Sequence, residues 1–257
     1  MIPDYIYAHV LEETWLSHIG KAIIRGARAK ANAMRRKRRF LNPTAGKVDH
    51  LIYDCQGSTT CPDKPAATDG GTMSEDRIVL HTLKQSQDID MVNSMLLGRS
   101  GWGNNNNDHI CLVNYDEGYN NAFFDGEKFT FGNGDGEFLV DLAMCRDVHA
   151  HEYGHGYVQT TSGSRYFAEP GALNEAMADW FGITFDSCLN NKAIHELDWL
   201  LGADCIGKKA KEQGWKAIRT FTTEKAYPKD PQPKYMKDRR LGSIEMQDNW
   251  GVHIWSG

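Results

Sequence analysis

Residues 151–155 read His-Glu-Tyr-Gly-His, and residues 171–179 read Gly-Ala-Leu-Asn-Glu-Ala-Met-Ala-Asp. The first stretch is an H-E-x-x-H pattern. On an α-helix, positions i and i+4 lie about 40° apart in rotation, so His151 and His155 leave the same face. Two neutral imidazoles so placed can hold one zinc ion at about 2.0–2.1 Å each. Glu152 sits about 100° round from His151. It borders such a metal without having to bind it, which suits a general base for an attacking water. A catalytic zinc site needs a third protein ligand and an open fourth position. Glu175, twenty residues after His155, supplies the third ligand if the chain returns as a second helix. Asp179 falls one turn later on the same face, where a carboxylate can accept the N–H of a ligand imidazole and fix its tautomer. A solvated acidic face is the competing reading of Glu175 and Asp179, and it loses weight after an H-E-x-x-H. His149 points about 200° from His151 and reads as a surface group or one behind the ligands.

Outward from this pair, the pattern gives a helix from Val148 to about Thr160 and another from about Gly171 to Cys188. Upstream, Ile110–Tyr115 and Ala122–Phe131 read as strands, with a tight Gly/Asp turn over Gly132–Gly136. Asp88–Leu97 reads as a helix, and Gly57–Gly71 and Asn104–Asn107 as loops. Residues 5–40 carry Leu11, Trp15, Leu16, Ile19, Ile23 and Ile24 at helical spacing before a break at Pro43 and Gly46, and residues 227–251 are Pro- and Lys-rich loop. The fold class is therefore α+β, with a β-rich part followed by a helical one.

The 257 residues carry a formal net charge of −5, with 11% aromatic and 25% charged residues. That composition argues against disorder, and no apolar run is long enough to cross a membrane as a helix. The charge is divided: residues 1–47 hold ten Lys/Arg against Asp4, Glu12 and Glu13, a net of +7, and the remainder is −12. A basic arm precedes an acidic body, and the two should attract. The apolar run Ile2–Val10 is broken by Pro3, Asp4 and His9 and precedes its basic cluster, which is not a signal-peptide pattern. Nucleic-acid binding by the Arg35–Arg39 run is the lesser reading of that cluster. The six cysteines form no C-x-x-C pair. They read first as buried free thiols, with a Cys55–Cys61 disulfide as the alternative.

The H-E-x-x-H followed by G-A-x-N-E-x-x-x-D resembles the thermolysin family of zinc endopeptidases. Tyr119–Phe124 resembles that family's substrate-binding edge strand, Phe131–Gly136 the glycine-rich turn after it, and Leu51–Asp54 the start of its mature enzymes. Gln247–His253 resembles the segment carrying a second active-site histidine. Ile2–Ile6 with the Arg-rich helix behind it, Asp198–Gly202 and Lys229–Pro233 resemble the protealysin-like members. The resemblance implies three segments: residues 1–46 as a basic inhibitory propeptide acting within the molecule, 47–160 as a β-rich catalytic lobe ending in the zinc helix, and 161–257 as part of a helical lobe.

The resemblance also implies roles. His151, His155 and Glu175 bind Zn2+. Glu152 is the general base, and His253 and Tyr166 stabilise the oxyanion. Asp248 orients His253, and Asp179 orients His151. Asn121 and Ala122 hold substrate as an added strand, and Arg219 hydrogen-bonds a substrate carbonyl. Leu139, Leu142, Val148, Leu201 and Ile218 line an apolar pocket, so cleavage is expected before bulky apolar residues. Peptides or proteins are the substrates, no nucleic acid or membrane is a partner, and the family implies secretion.

Some positions depart from the family. Trp250 stands where a glycine is usual and Trp255 where an asparagine is usual, and Pro170 replaces a small polar residue. Asp147, Asp186 and Asp198 match calcium ligands, but Leu200 and Ala203 replace acidic ones, so the Ca2+ site is only partly present. Family members continue beyond His-x-x-Ser-Gly as further helices. The expectation is a truncated helical lobe with exposed apolar surface, and the alternative function is an inactive zinc-binding or interaction protein.

Overall fold

The structure is a computed structural model, and it describes residues 48–238, 248 and 251–256. The helical, inhibitory reading of residues 1–46, the Arg35–Arg39 run and the departure at Trp250 lie outside the described residues.

Strand β1 (His50–Asp54) pairs in parallel with β4 (His109–Val113), which pairs in parallel with β6 (Lys128–Phe131). The short strands β2 (Ala67–Thr68) and β3 (Gly71–Thr72) extend one side antiparallel, and β5 (Ala122–Phe124) closes the other, giving the order β3-β2-β1-β4-β6-β5. The run Ala122–Phe131 is thus a hairpin rather than one strand. Asp125 breaks it: its Oδ1 accepts the Glu127 and Lys128 backbone N–H groups, both at 2.8 Å, and Gly126 supplies φ 109°.

Helix α1 (Arg77–Leu97) packs on β1 and β4. It starts eleven residues before the expected Asp88. Asp76 caps it, accepting from the Ile78 and Val79 N–H groups. The earlier half escapes an apolar-periodicity reading because part of its inner face is polar: Thr82, Gln85 and Ser86 are all buried.

Two long helices carry the diagnostic stretches, α2 (Arg146–Thr160) and α3 (Ala168–Leu189). They lie antiparallel, with Asp147 against Gly182, Gly154 against Ala178 and His155 against Asn174. Gly154 permits this approach, because a Cβ there would stand 2.9 Å from the Ala178 Cα and 3.0 Å from the Phe181 Cβ. Gly→Ala on a free helix face stabilises by about 0.5–1 kcal/mol. Here overpacking reverses the sign, and Gly154→Ala is expected to cost about 1–3 kcal/mol. Thermal denaturation should show Tm lowered by roughly 2–12 °C; an unchanged or raised Tm would mean that the helices are not in this contact.

Strands β7 (Leu200–Leu201) and β8 (Arg219–Thr220) form a separate antiparallel pair, with the short helix α4 (Lys208–Glu212) between them. The outer face of α3 exposes Leu173, Met177 and Trp180, by 67%, 42% and 45%, the exposed apolar surface expected of these helices. Cys55 and Cys61 form a disulfide, which corrects the free-thiol reading for that pair. Cys111, Cys145 and Cys205 are free and buried, and Cys188 is free but exposed. No described helix is long and apolar enough to cross a membrane.

Candidate active site

Helices α2 and α3 bring His151, His155 and Glu175 together, with one potential ligand atom of each inside a 4.8 Å cluster and all three side chains buried. The two imidazole Nε2 atoms stand 3.0 Å apart. Glu175 Oε1 is 3.3 Å from His155 Nε2, and Oε2 is 3.5 Å from His151 Nε2. The far side of each ring is held by an acceptor. His151 Nδ1 lies 2.6 Å from Asp179 Oδ1, and His155 Nδ1 lies 2.7 Å from Asn174 Oδ1. Each Nδ1 therefore carries the proton, a tautomer assigned from its partner, and each Nε2 directs a lone pair at one point.

Burial pushes the His151 imidazole well below its ordinary pKa, which keeps it neutral. Burial acts to raise Glu175, but His253 and His155 beside it outweigh that and hold the carboxyl well below the usual range. Glu175 Oε2 is buried without a hydrogen-bond partner. Two neutral imidazoles, one carboxylate and an unsatisfied carboxylate oxygen fit a zinc ion in donor type and protonation state.

Around this set the remaining positions fall as follows. Glu152 is fully buried on α2, next to His151. Tyr166 donates its hydroxyl hydrogen bond to Glu175 Oε1, and its oxygen is 3.1 Å from His253 Nε2. His253 Nε2 is 3.2 Å from Glu175 Oε1. Asp248 grips His253 twice: Oδ1 is 2.6 Å from Nδ1, and Oδ2 accepts the backbone N–H at 2.8 Å. Asn121 and Ala122 are buried at the start of β5, the edge strand in the pairing order. Leu139, Leu142, Val148, Leu201 and Ile218 are all buried.

Arg219 is 2% exposed and forms a two-point ion pair with Asp179, through Nε at 2.6 Å and through Nη2. The same Nη2 is 3.3 Å from His151 Nδ1. Glu175 and Asp179 are both buried, which goes against the competing reading of a solvated acidic face. Asn174 holds His155 and went unassigned in the sequence; its signal was the Asn preceding Glu175 in the G-A-x-N-E stretch. His149 is not a surface group. It is fully buried, because α2 is covered on both sides, by α3 on one and by the sheet on the other. Asp147, Asp186 and Asp198 line one cleft with Arg146, and Arg146 Nη1 is 3.4 Å from Asp186 Oδ1, so a cationic side chain already shares that cleft.

Residues 48–159 match the family model described as "Thermolysin metallopeptidase, catalytic domain", and residues 162–257 match "Thermolysin metallopeptidase, alpha-helical domain". Among solved structures, the precursor of protealysin, a metalloproteinase from Serratia proteamaculans, superposes with a TM-score of 0.84 at 27% identity. That match covers 100% of this chain and 76% of the other, and the two share the architecture of a β-rich lobe followed by a helical lobe. An extracellular metalloprotease of Pectobacterium carotovorum is 33% identical over 148 residues, and protease PrtS of Photorhabdus is 29% identical over 211 residues. These matches take in 56% and 80% of this chain, and they span 42% and 56% of the two relatives.

Proposed function

Because the chain belongs to the thermolysin family of metallopeptidases, we propose that it is a zinc-dependent endopeptidase. The observation that carries the reading is the pair of α2 imidazoles, each with Nδ1 tied to an acceptor and Nε2 turned toward Glu175. His151, His155 and Glu175 would hold the ion. Zinc in such a set supplies a lowered water pKa and polarisation of the attacked carbonyl.

The rest of the chemistry belongs to the chain. Glu152 takes the proton of the attacking water and passes it to the leaving amine nitrogen as the C–N bond breaks. His253 and Tyr166 donate hydrogen bonds to the oxyanion that forms on the carbonyl oxygen. Asp248 keeps the His253 Nδ1 proton in place, which turns Nε2 toward the site. Asp179 does the same for His151. The substrate lies as an added strand along β5, held by Asn121 and the Ala122 backbone, and Arg219 hydrogen-bonds a substrate carbonyl from within its pair with Asp179.

The working division is residues 47–160 and 161–257 as the two lobes, with residues 1–46 as an intramolecular inhibitor. The arm carries +7 and the remainder −12, so if the arm inhibits, salt should weaken its grip. An extracellular workplace fits the similarity to the extracellular metalloprotease of Pectobacterium carotovorum. For calcium, we propose that the Asp147 cleft is not a tight site, because Arg146 supplies the cation that Asp186 needs.

The apolar set Leu139, Leu142, Val148, Leu201 and Ile218 leads to a defined specificity. A peptide-library digest read by mass spectrometry should place Leu, Phe or Ile after the cut bond. Discrimination against small residues should be about 10–200-fold per missing methylene-sized step. Cleavage that favours acidic or basic residues at that position would refute the pocket assignment.

A further inference from the structure

The far side of the same helix carries a second cluster. His109 and Cys111 are alternate residues of β4, so they leave one face of the sheet. His149 on α2 meets them there, and the three form a fully buried group with one ligand atom of each inside a 4.8 Å cluster. His109 Nε2 is 2.9 Å from His149 Nε2, and Cys111 Sγ is 3.5 Å from that same Nε2.

Hydrogen bonding assigns the tautomers. His109 Nδ1 lies 2.7 Å from the Asp90 carboxylate oxygen Oδ2. His149 Nδ1 lies 3.2 Å from Gln85 Oε1. The Gln85 amide cannot be turned over, because its Nε2 donates to the Met144 carbonyl at 3.0 Å. Both Nδ1 atoms therefore carry protons, and in the neutral rings both Nε2 lone pairs point at each other beside a sulfur. Facing lone pairs at this distance call for a proton or a metal ion between them. This is the arrangement of the His151–His155 pair, whose Nε2 atoms are 3.0 Å apart and whose Nδ1 atoms are likewise tied to acceptors. A tetrahedral zinc at ordinary bond lengths sets two nitrogens about 3.3 Å apart and nitrogen from sulfur about 3.5 Å apart.

We propose that His109, Cys111 and His149 form a second, buried zinc site that pins α2 to the sheet. Asp90 and Gln85 of α1 hold its two imidazoles as Asp179 and Asn174 hold those of the catalytic set. On binding, the Cys111 thiol gives its proton to solvent as the metal–sulfur bond forms. The inference is independent of whether the chain cleaves peptides.

Cobalt loading of the full chain under thiol-protecting conditions tests it. The catalytic set has no sulfur donor, so a thiolate-to-cobalt charge-transfer band in the near ultraviolet reports the second site. The expected result is two cobalt ions per chain with that band present. Cys111→Ser should lose the band and one equivalent, and Glu175→Gln should lose the other equivalent and keep the band. One cobalt per chain without the band would overturn the proposal and leave a proton-linked histidine pair. A band surviving in Cys111→Ser would overturn it too. If Cys111→Ser does not fold, wild-type stoichiometry and the Glu175→Gln spectrum still decide.

Discussion

Glu152→Gln is expected to lower kcat by about 10²–10⁴-fold, the range for loss of a positioned general base, with KM changed little. Bound zinc should stay at the wild-type level. The reason is positional. Glu152 is adjacent to His151 on α2 and fully buried with it, yet it is absent from the cluster of ligand atoms formed by His151, His155 and Glu175. Glutamine keeps the shape and one carbonyl acceptor but cannot take a proton at neutral pH. Steady-state kinetics on an internally quenched peptide, with metal analysis of the same samples, reads both quantities. Loss of zinc alongside activity would make Glu152 a ligand or a structural group. Full retained activity would remove it from the mechanism.

Arg219→Met should destabilise the protein by about 3–5 kcal/mol, the cost of breaking a buried ion pair from one side. Asp179 is 1% exposed, and Arg219 neutralises it at two points. Methionine keeps much of the arginine's stem volume and none of its charge. Burial acts to raise the Asp179 pKa and the guanidinium opposes that, so without Arg219 the carboxyl tends to protonate. A protonated Asp179 holds His151 less firmly, and zinc affinity should fall about 10–100-fold. Thermal denaturation should show Tm down by more than about 6 °C, and zinc titration should show the weaker binding. A raised KM with unchanged Tm and zinc affinity would instead mean that Arg219 acts on substrate alone.

The frame of the candidate site was legible because helix geometry is periodic. Once His151 and His155 are placed on one face, the partner helix has to bring a third ligand, and Glu175 with Asp179 one turn later was the set available. Pairings remote in sequence were hidden. No spacing rule joins Arg219 to Asp179, since β7 and β8 make that contact by pairing outside the main sheet. Asn174 was visible as a letter but not as a hydrogen-bond acceptor for His155. The error at His149 has the same origin as the late start assigned to α1. A helix side carrying His or Gln looks solvent-facing by polarity, yet Gln85, His109 and His149 are packed against one another inside the protein. The Ala122–Phe131 hairpin was misjudged because Phe123, Phe124, Phe129 and Phe131 make both arms and the surroundings of the turn equally apolar.

On the proposed function, zinc held by His151, His155 and Glu175 is what would make this chain a peptidase. The direct measurement is hydrolysis of an internally quenched peptide with Leu or Phe after the cut bond. It is followed through removal of zinc by a chelator and stoichiometric return of the metal. Turnover is expected to disappear on stripping, to return with zinc, and not to return in zinc-reloaded Glu152→Gln. Turnover that survives complete stripping, or a fully zinc-loaded wild-type chain that cleaves no peptide of the library, would contradict it.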